Sequence, residues 1–303
     1  MSTCIGIGIG IPFRRMGAGT SFQGLLDLYP NAAAAYSLRK LRADYSGAAV
    51  RIRRSSDNAE TDIGFLNNEF DSAAAQTFCG AGNGFVTTWY DQSLNGNNAA
   101  QTTASRQPEI VSSGVILTEN GKPKINFNNA NIQFLLLNTS LWTYTGDSTV
   151  FHVSVNKNTD SSFYGPIIAK YGSLQNGLGV MWNVFPSSAT NAATDVYAPG
   201  GIKTDNTQNV NTQYLAAFKW ENWSTHKTNG NTIIAVNGSN QALSAYGSTP
   251  TGLSGSTRIG TFDQLSSGSF LGDMQEIVVY ENAFNQTDID GAENNINLYY
   301  GIY

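Results

Sequence analysis

The chain predicts an all-β sandwich, and three observations carry that expectation. Short runs rich in Val, Ile, Thr and aromatic residues recur along it, as at residues 85–90, 149–155 and 214–220. Turn signals such as Asn120-Gly121, Asn229-Gly230 and Asn237-Gly238 separate them. The length, 303 residues, suits one large β domain, and 41% hydrophobic residues permit a core. Only 13% of residues are charged, so Asn, Ser, Thr and Gly carry the polar surface.

Residues 1–24 form a Gly-rich arm. Strict alternation in Ile5-Gly6-Ile7-Gly8-Ile9-Gly10-Ile11 gives one apolar edge and no side chains on the other. Such an arm either adds as a strand to a neighbouring subunit or is a flexible terminus. Residues 25–43 read as a helix broken or begun at Pro30, capped by Asn31, with residues 32–35, Leu38 and Leu41 inward. From there the pattern is β. Strand-like runs fall at residues 48–54, 85–90, 110–117, 124–127, 149–155, 167–171, 177–184, 214–220, 232–236, 258–261 and 270–280. Residues 187–212, rich in Asn and Thr, read as a long surface loop. A short helix closes the chain, capped by Asn285 or Thr287, with Ile289, Ile296 and Leu298 facing inward. The expected organisation is the arm, 1–24, and a single sandwich domain, 25–303. Many short strands at this spacing favour a sandwich over a parallel sheet.

Composition excludes several functions. A net charge of -5 and a pI near 5.0 argue against nucleic acid as a partner. Arg51, Arg53 and Arg54 alternate along a strand and suit a solvated face or internal ion pairs. No apolar stretch reaches the roughly 20 residues that cross a bilayer, so membrane insertion is not expected. The N-terminus lacks a basic region ahead of an apolar run and makes a poor signal peptide. Cys4 and Cys79 lie far apart, form neither a disulfide framework nor a metal-ligand pattern, and fit folding in a reducing cytoplasm. His152 reads as an ordinary strand residue and His226 as part of a polar turn, which leaves no zinc site. The Gly6-x-Gly8-x-Gly10 run precedes no βαβ unit and is not a dinucleotide fingerprint. A chain made in the cytoplasm yet styled for an exposed surface suits a virus particle.

The stretch Trp89-Tyr90-Asp91-Gln92-Ser93-Leu94-Asn95-Gly96-Asn97-Asn98 couples a strand to an oxygen-rich turn. That chemistry holds either a sugar or a cation. Sugars stack on aromatic rings while amides and carboxylates grip their hydroxyls. Trp89, Tyr90, Asp91, Gln92 and Asn95 are therefore glycan-binding candidates, as are Trp182 with Asn183 and Trp220 with Trp223. The competing role is structural: Trp89 and Tyr90 straddle the sheet and Asp91 hydrogen-bonds the turn backbone. Calcium would use the same oxygens, although no Asp-x-Asp-x-Asp loop is present, and no other cofactor is expected.

Two landmarks resemble one superfamily, the concanavalin A-like and laminin G-like jelly rolls. The first is this stretch with Ala99, then Arg106-Gln107-Pro108 and Asn120-Gly121-Lys122-Pro123-Lys124-Ile125-Asn126-Phe127. The second is Phe270-Leu271-Gly272-Asp273-Met274-Gln275-Glu276-Ile277-Val278-Val279-Tyr280, ending in Leu298-Tyr299-Tyr300-Gly301-Ile302. The resemblance implies a jelly-roll β-sandwich with short flanking helices. Within the superfamily, Ala35-Tyr36-Ser37-Leu38-Arg39, Tyr45-Ser46-Gly47, Arg53-Arg54-Ser55-Ser56-Asp57, Thr61-Asp62-Ile63 and the run from Phe78-Cys79 to Ser93 resemble the catalytic domain of family 54 α-L-arabinofuranosidases. Similar openings after a glycine-rich start resemble structural proteins of tailed bacteriophages.

A retaining glycosidase needs two carboxyl groups about 5–5.5 Å apart. The arabinofuranosidase resemblance puts the acid/base at Asp263, after Ile259-Gly260-Thr261-Phe262. It puts the nucleophile on Gly177-Leu178-Gly179-Val180-Met181-Trp182-Asn183, which holds no carboxylate. That family pairs the cysteine matching Cys79 with another five residues on, where this chain has Gly84. The expectation is a non-enzymatic virion structural protein, a fibre, decoration or tail-associated subunit. It would be a homo-oligomer, attached to other virion proteins through the arm, with Asp263 joining the candidates for contact with host glycans. The alternatives are a glycoside hydrolase of the arabinofuranosidase type and a free lectin.

Overall fold

The computed structural model describes residues 22–139, 141–143, 146–159, 164–173, 176–184, 191–197, 202–222, 224–225, 230–245, 255–262 and 269–303. The Ile-Gly arm, His226, Trp223, Cys4 and Asp263 lie outside the described residues.

Two antiparallel sheets face each other, as the all-β expectation requires. The back sheet runs Ile233–Val236, Gln213–Trp220, Ser148–Asn156 and Gly272–Tyr280 in spatial order. The far edge of the 272–280 strand is shared: Ala34–Ser37 pairs with its second half and Ile125–Phe127 with its first. The front sheet runs Glu60–Ile63, Val50–Arg54, Gly84–Trp89, Ala99–Ala100, Leu135–Leu137, Ser256–Ile259, Tyr164–Ser173, Asn176–Val184, Asn191–Tyr197, Ile202–Asn209 and Leu243–Ala245. Glu109–Ser112 pairs with both the 84–89 and 125–127 strands and stitches the sheets together.

Burial explains the strand sequences. All nine residues of Ser148–Asn156 and of Gly272–Tyr280 are buried. Val150, Phe218, Met274, Ile277 and Val279 fill the core between the sheets. Phe151, Val153, Leu215, Val278 and Tyr280 face the other way, under the helices. A sheet covered on both faces favours apolar residues on both faces rather than alternation, and the polar residues of these strands, His152, Asp273 and Glu276 among them, are buried as well. The cover is the helix Gln286–Tyr300, which buries Ile289, Ala292, Ile296 and Tyr300. Asn285 caps it, its Oδ1 accepting from Asp288 N at 2.9 Å, and Gly301 ends it in the left-handed region. Leu298, expected inward, is 78% exposed, because it falls on the opposite face from Ile289 and Ile296.

Two expectations fail locally. The helix of 25–43 shrinks to Leu25–Leu28, and Ala34–Ser37 is a strand paired with 276–279. Pro30 ends the helix, Asn31 turns the chain at φ 67°, and the Ala run suits a buried strand as well as a helix. The 187–212 loop contains two paired strands, Asn191–Tyr197 and Ile202–Asn209. Polar Thr and Asn do not forbid a ladder, whose bonds are made by the backbone.

The basic cluster is tied down by ion pairs and hydrogen bonds. Arg51 meets Asp62 directly across the strand pair at 2.7 Å, Arg54 meets Asp57 at 2.7 Å, and Arg53 Nε donates to Gln107 at 2.6 Å. Asn120-Gly121 and Asn237-Gly238 turn their hairpins with both residues at positive φ, as their sequences require.

Candidate functional site

The Trp-Tyr-Asp-Gln turn is structural. Trp89 is fully buried, its ring 5.7 Å from that of Tyr36, and offers no platform to a sugar. Asp91 Oδ1 accepts from Ala35 N and Ser93 N at 2.8 Å each, and Oδ2 from Ser93 Oγ at 2.7 Å and Asn97 N at 2.9 Å. Two carboxylate oxygens have about four lone-pair sites, so this one is saturated and has none left for a calcium ion or a hydroxyl. Gln92, also buried, accepts from Leu41 N at 2.8 Å and donates to Ser37 O at 3.1 Å and Arg39 O at 3.0 Å. Asn95 Nδ2 donates to Ala32 O at 2.9 Å. The turn thus clamps residues 32–41 into the back sheet. Trp220 is buried beside Trp142, and the side chains of Trp182 and Asn183 lie outside the described residues. Tyr90 alone of the turn candidates reaches the outer face of the front sheet, where its hydroxyl donates to Asp62 at 2.8 Å.

That outer face holds a depression of about 660 Å³. Register places Thr88, Ala100, Leu136 and Arg258 side by side on four neighbouring strands. Their neighbours Trp89, Ala99, Leu135 and Ile259 point into the core. The small Ala100 between Thr88 and Leu136 leaves the hollow, and Tyr90 and Phe134 also line it. Leu136 is 39% exposed, the only mid-strand leucine of the front sheet that is turned outward among the described residues. A chain of buried glutamines supports the rim. Gln101 donates to Phe134 O at 3.1 Å, Gln107 to Gln101 O at 2.9 Å, and Gln133 to Gln107 O at 2.9 Å.

The Phe134 wall of the depression is tied to Phe262, the last described residue before Asp263. Arg106 and Arg258 flank the Phe134 ring at 5.8 and 5.9 Å, and Arg258 Nη1 donates to Phe262 O at 2.8 Å. Asp263 follows Phe262 in the chain. Gly260 has φ 90°, and a Cβ there would stand 2.8 Å from Phe127, so only glycine permits the Ile259-Gly260 landmark.

Other ionisable groups are committed to the scaffold. Glu276 is buried and accepts from Arg39 Nε at 2.7 Å, Arg39 Nη2 at 2.9 Å and Ser37 Oγ at 2.8 Å. Asp273 takes Lys157 at 2.6 Å and Lys124 at 2.7 Å. His152 stacks on Phe218 with ring centres 5.6 Å apart, and burial pushes its pKa down to about 3, so it is uncharged in neutral solution and a weak base. Cys79 is a buried free thiol, and a Cβ on Gly84 would lie 2.6 Å from its sulfur.

Residues 27–146 match the family model described as "Alpha-L-arabinofuranosidase B, catalytic", which covers less than half of the chain. The alpha-L-arabinofuranosidase B of Aspergillus niger is 36% identical over 91 residues, 28% of this chain and 18% of that protein. The alpha-L-arabinofuranosidase of Hypocrea jecorina is 37% identical over 84 residues, 26% of this chain and 17% of that protein. The chain therefore matches under a fifth of the length of these relatives. A solved arabinofuranosidase complexed with arabinofuranosyl-alpha-1,2-xylobiose superposes with a TM-score of 0.61 at 19% identity. That likeness covers 90% of this chain and 64% of the other, and it bears out the fold. A GH54 α-L-arabinofuranosidase soaked with a cyclic sulfate inhibitor gives a TM-score of 0.59 at 19% identity.

These matches overturn the expected function. The family model is that of an arabinofuranosidase catalytic domain and the named relatives are fungal arabinofuranosidases, so the non-enzymatic bacteriophage protein and its virion location are corrected, and the phage resemblance finds no support. The carboxylate-free 177–183 strand lies outside the matched residues 27–146, so its lack of an acid does not weigh against the match.

Proposed function

We propose that this chain is a glycoside hydrolase of the α-L-arabinofuranosidase type, which releases L-arabinofuranosyl groups from a glycan. The match of residues 27–146 to the arabinofuranosidase catalytic model carries this reading. The sandwich shared with solved arabinofuranosidases is consistent with it. Asp263 is the general acid/base in this account, protonating the leaving oxygen.

The second carboxyl group must come from a position other than those of the 176–184 strand, which has none. Of the two strands paired with it, Tyr164–Ser173 is also free of acidic residues, and Asn191–Tyr197 carries Asp195. Asp195 is in register with Met181, while Trp182 pairs with Thr194. Pairing with the 202–209 strand shifts between Ala193 and Asp195. Asp195 is the acidic position that best fits the second role.

An aryl arabinofuranoside tests the reading. Wild-type protein is expected to release the aryl alcohol, and Asp195→Asn to lose at least a hundredfold in kcat while keeping its fold. No turnover by the wild type overturns the hydrolase; full turnover by the variant removes Asp195 from it.

A further inference from the structure

We propose that the depression at Ala100 and Leu136 is a subsite for the neutral sugar chain that bears the arabinofuranosyl group. The inference rests on the hydrolase reading and adds where the rest of the substrate lies. Four features of the site support it. Its volume, about 660 Å³, falls within the roughly 300–1,000 Å³ of small-ligand sites and exceeds what one pentose ring fills. Its floor is apolar, with the exposed face of Leu136 beside Ala100 and Tyr90 also on the lining, which suits the C–H faces of sugar rings, while Phe134 is buried beneath Arg106 and Arg258 and backs the wall.

Uncharged polar groups stand around that floor. Asn98 Oδ1 is taken by Asp91 N at 3.0 Å, while its Nδ2 makes no hydrogen bond among the described residues. Asn138 Nδ2 donates to Gly96 O at 3.0 Å, and its Oδ1 faces no donor among them. Thr88 adds a hydroxyl in the same state. One donor, one acceptor and one group that is both match a row of sugar hydroxyls. Among the described residues no carboxylate lines the depression, which disfavours amines, and its one charged group, Arg106, lies over the Phe134 ring at the wall.

The fourth feature is position. The wall at Phe134 is held against Arg258, and Arg258 holds Phe262, the residue before Asp263. The glutamine ladder behind Phe134 keeps the wall rigid, so little ordering is needed on binding.

Ala100→Phe, which fills the hollow, and Thr88→Val, which removes a hydroxyl, test the proposal together. The substrates are an aryl arabinofuranoside and arabinosylated xylotriose, and binding of unsubstituted xylotriose and arabinotriose is followed by calorimetric titration. The expected result is that kcat/KM on the arabinosylated trisaccharide falls about tenfold further than on the aryl glycoside, through KM, and that binding of at least one trisaccharide weakens in both variants. Equal losses on both substrates, or no trisaccharide binding by the wild type, overturn the subsite. If the wild type binds a trisaccharide but turns over neither glycoside, the hydrolase reading fails and the sugar site stands.

Discussion

Asp91 shows how one side chain decides between two roles. With four donors on its two oxygens it organises the turn, and its pairing with Ala35 N anchors the neighbouring strand. Asp91→Asn replaces two acceptor sites by donors facing donors, so a loss of about 2–4 kcal/mol in unfolding free energy is expected by chemical denaturation. A loss below about 0.5 kcal/mol would contradict the structural assignment. Gly84 offers the opposite change. Its Cβ position lies 2.6 Å from Cys79 Sγ, close to bridging range. Gly84→Cys is expected to close a bridge with Cys79 under oxidising conditions, read as the loss of two titratable thiols. The chain-entropy estimate for so short a loop is about 2 kcal/mol of stabilisation. Persistence of both thiols would show that Ile52 and Val111, also near that position, hold the new side chain away.

At the scale of elements, the helix Gln286–Tyr300 depends on two buried carboxyl groups of different kinds. Glu276, on the strand beneath, is paired with Arg39, and Tyr300 OH donates to it at 3.2 Å. Glu276→Gln would leave the Arg39 guanidinium buried without its counter-charge, at a cost of about 3–5 kcal/mol. Glu293, within the helix, has no such cation, and burial raises its pKa to about 7. A carboxyl group whose pKa is raised by folding binds more protons in the folded state than in the unfolded one. Its contribution is therefore present below the unfolded value of 4.5 and lost as pH rises through about 7. Stability should fall by on the order of 3 kcal/mol from this group between those limits. Glu293→Gln should flatten that part of the profile, measured as melting temperature between pH 4 and pH 8; an unchanged slope would assign it elsewhere.

Elements also show what the sequence reveals. The 149–155 and 270–280 runs are recognisable as strands because both faces of the back sheet are covered, so apolar residues fall on both faces and outnumber buried polar ones such as His152 and Glu276. Asn237-Gly238 is recognisable because only residues tolerant of positive φ fit the hairpin. The Ala32–Ala35 run is not, since four small apolar residues satisfy either period and only the buried partner strand decides. Leu136, Ala100 and Thr88 stay hidden for a related reason. Each is unremarkable in its own strand, and the hollow arises from a register between strands distant in sequence.

For the whole molecule, the sandwich was legible from its strands and turns and the function was not. The 177–183 strand lacks a carboxylate, yet a fold of many strands can supply an acid from a neighbour. The central claim is that this sandwich cleaves arabinofuranosides with Asp263 as its acid/base. The most direct measurement is the pH–rate profile of aryl arabinofuranoside turnover by the wild type and by Asp263→Asn. The account predicts wild-type turnover with an alkaline limb that reports a group needed in its protonated form, and in the variant a loss of roughly 10²–10⁴-fold together with that limb. Turnover by Asp263→Asn equal to that of the wild type, or none by either, would contradict it.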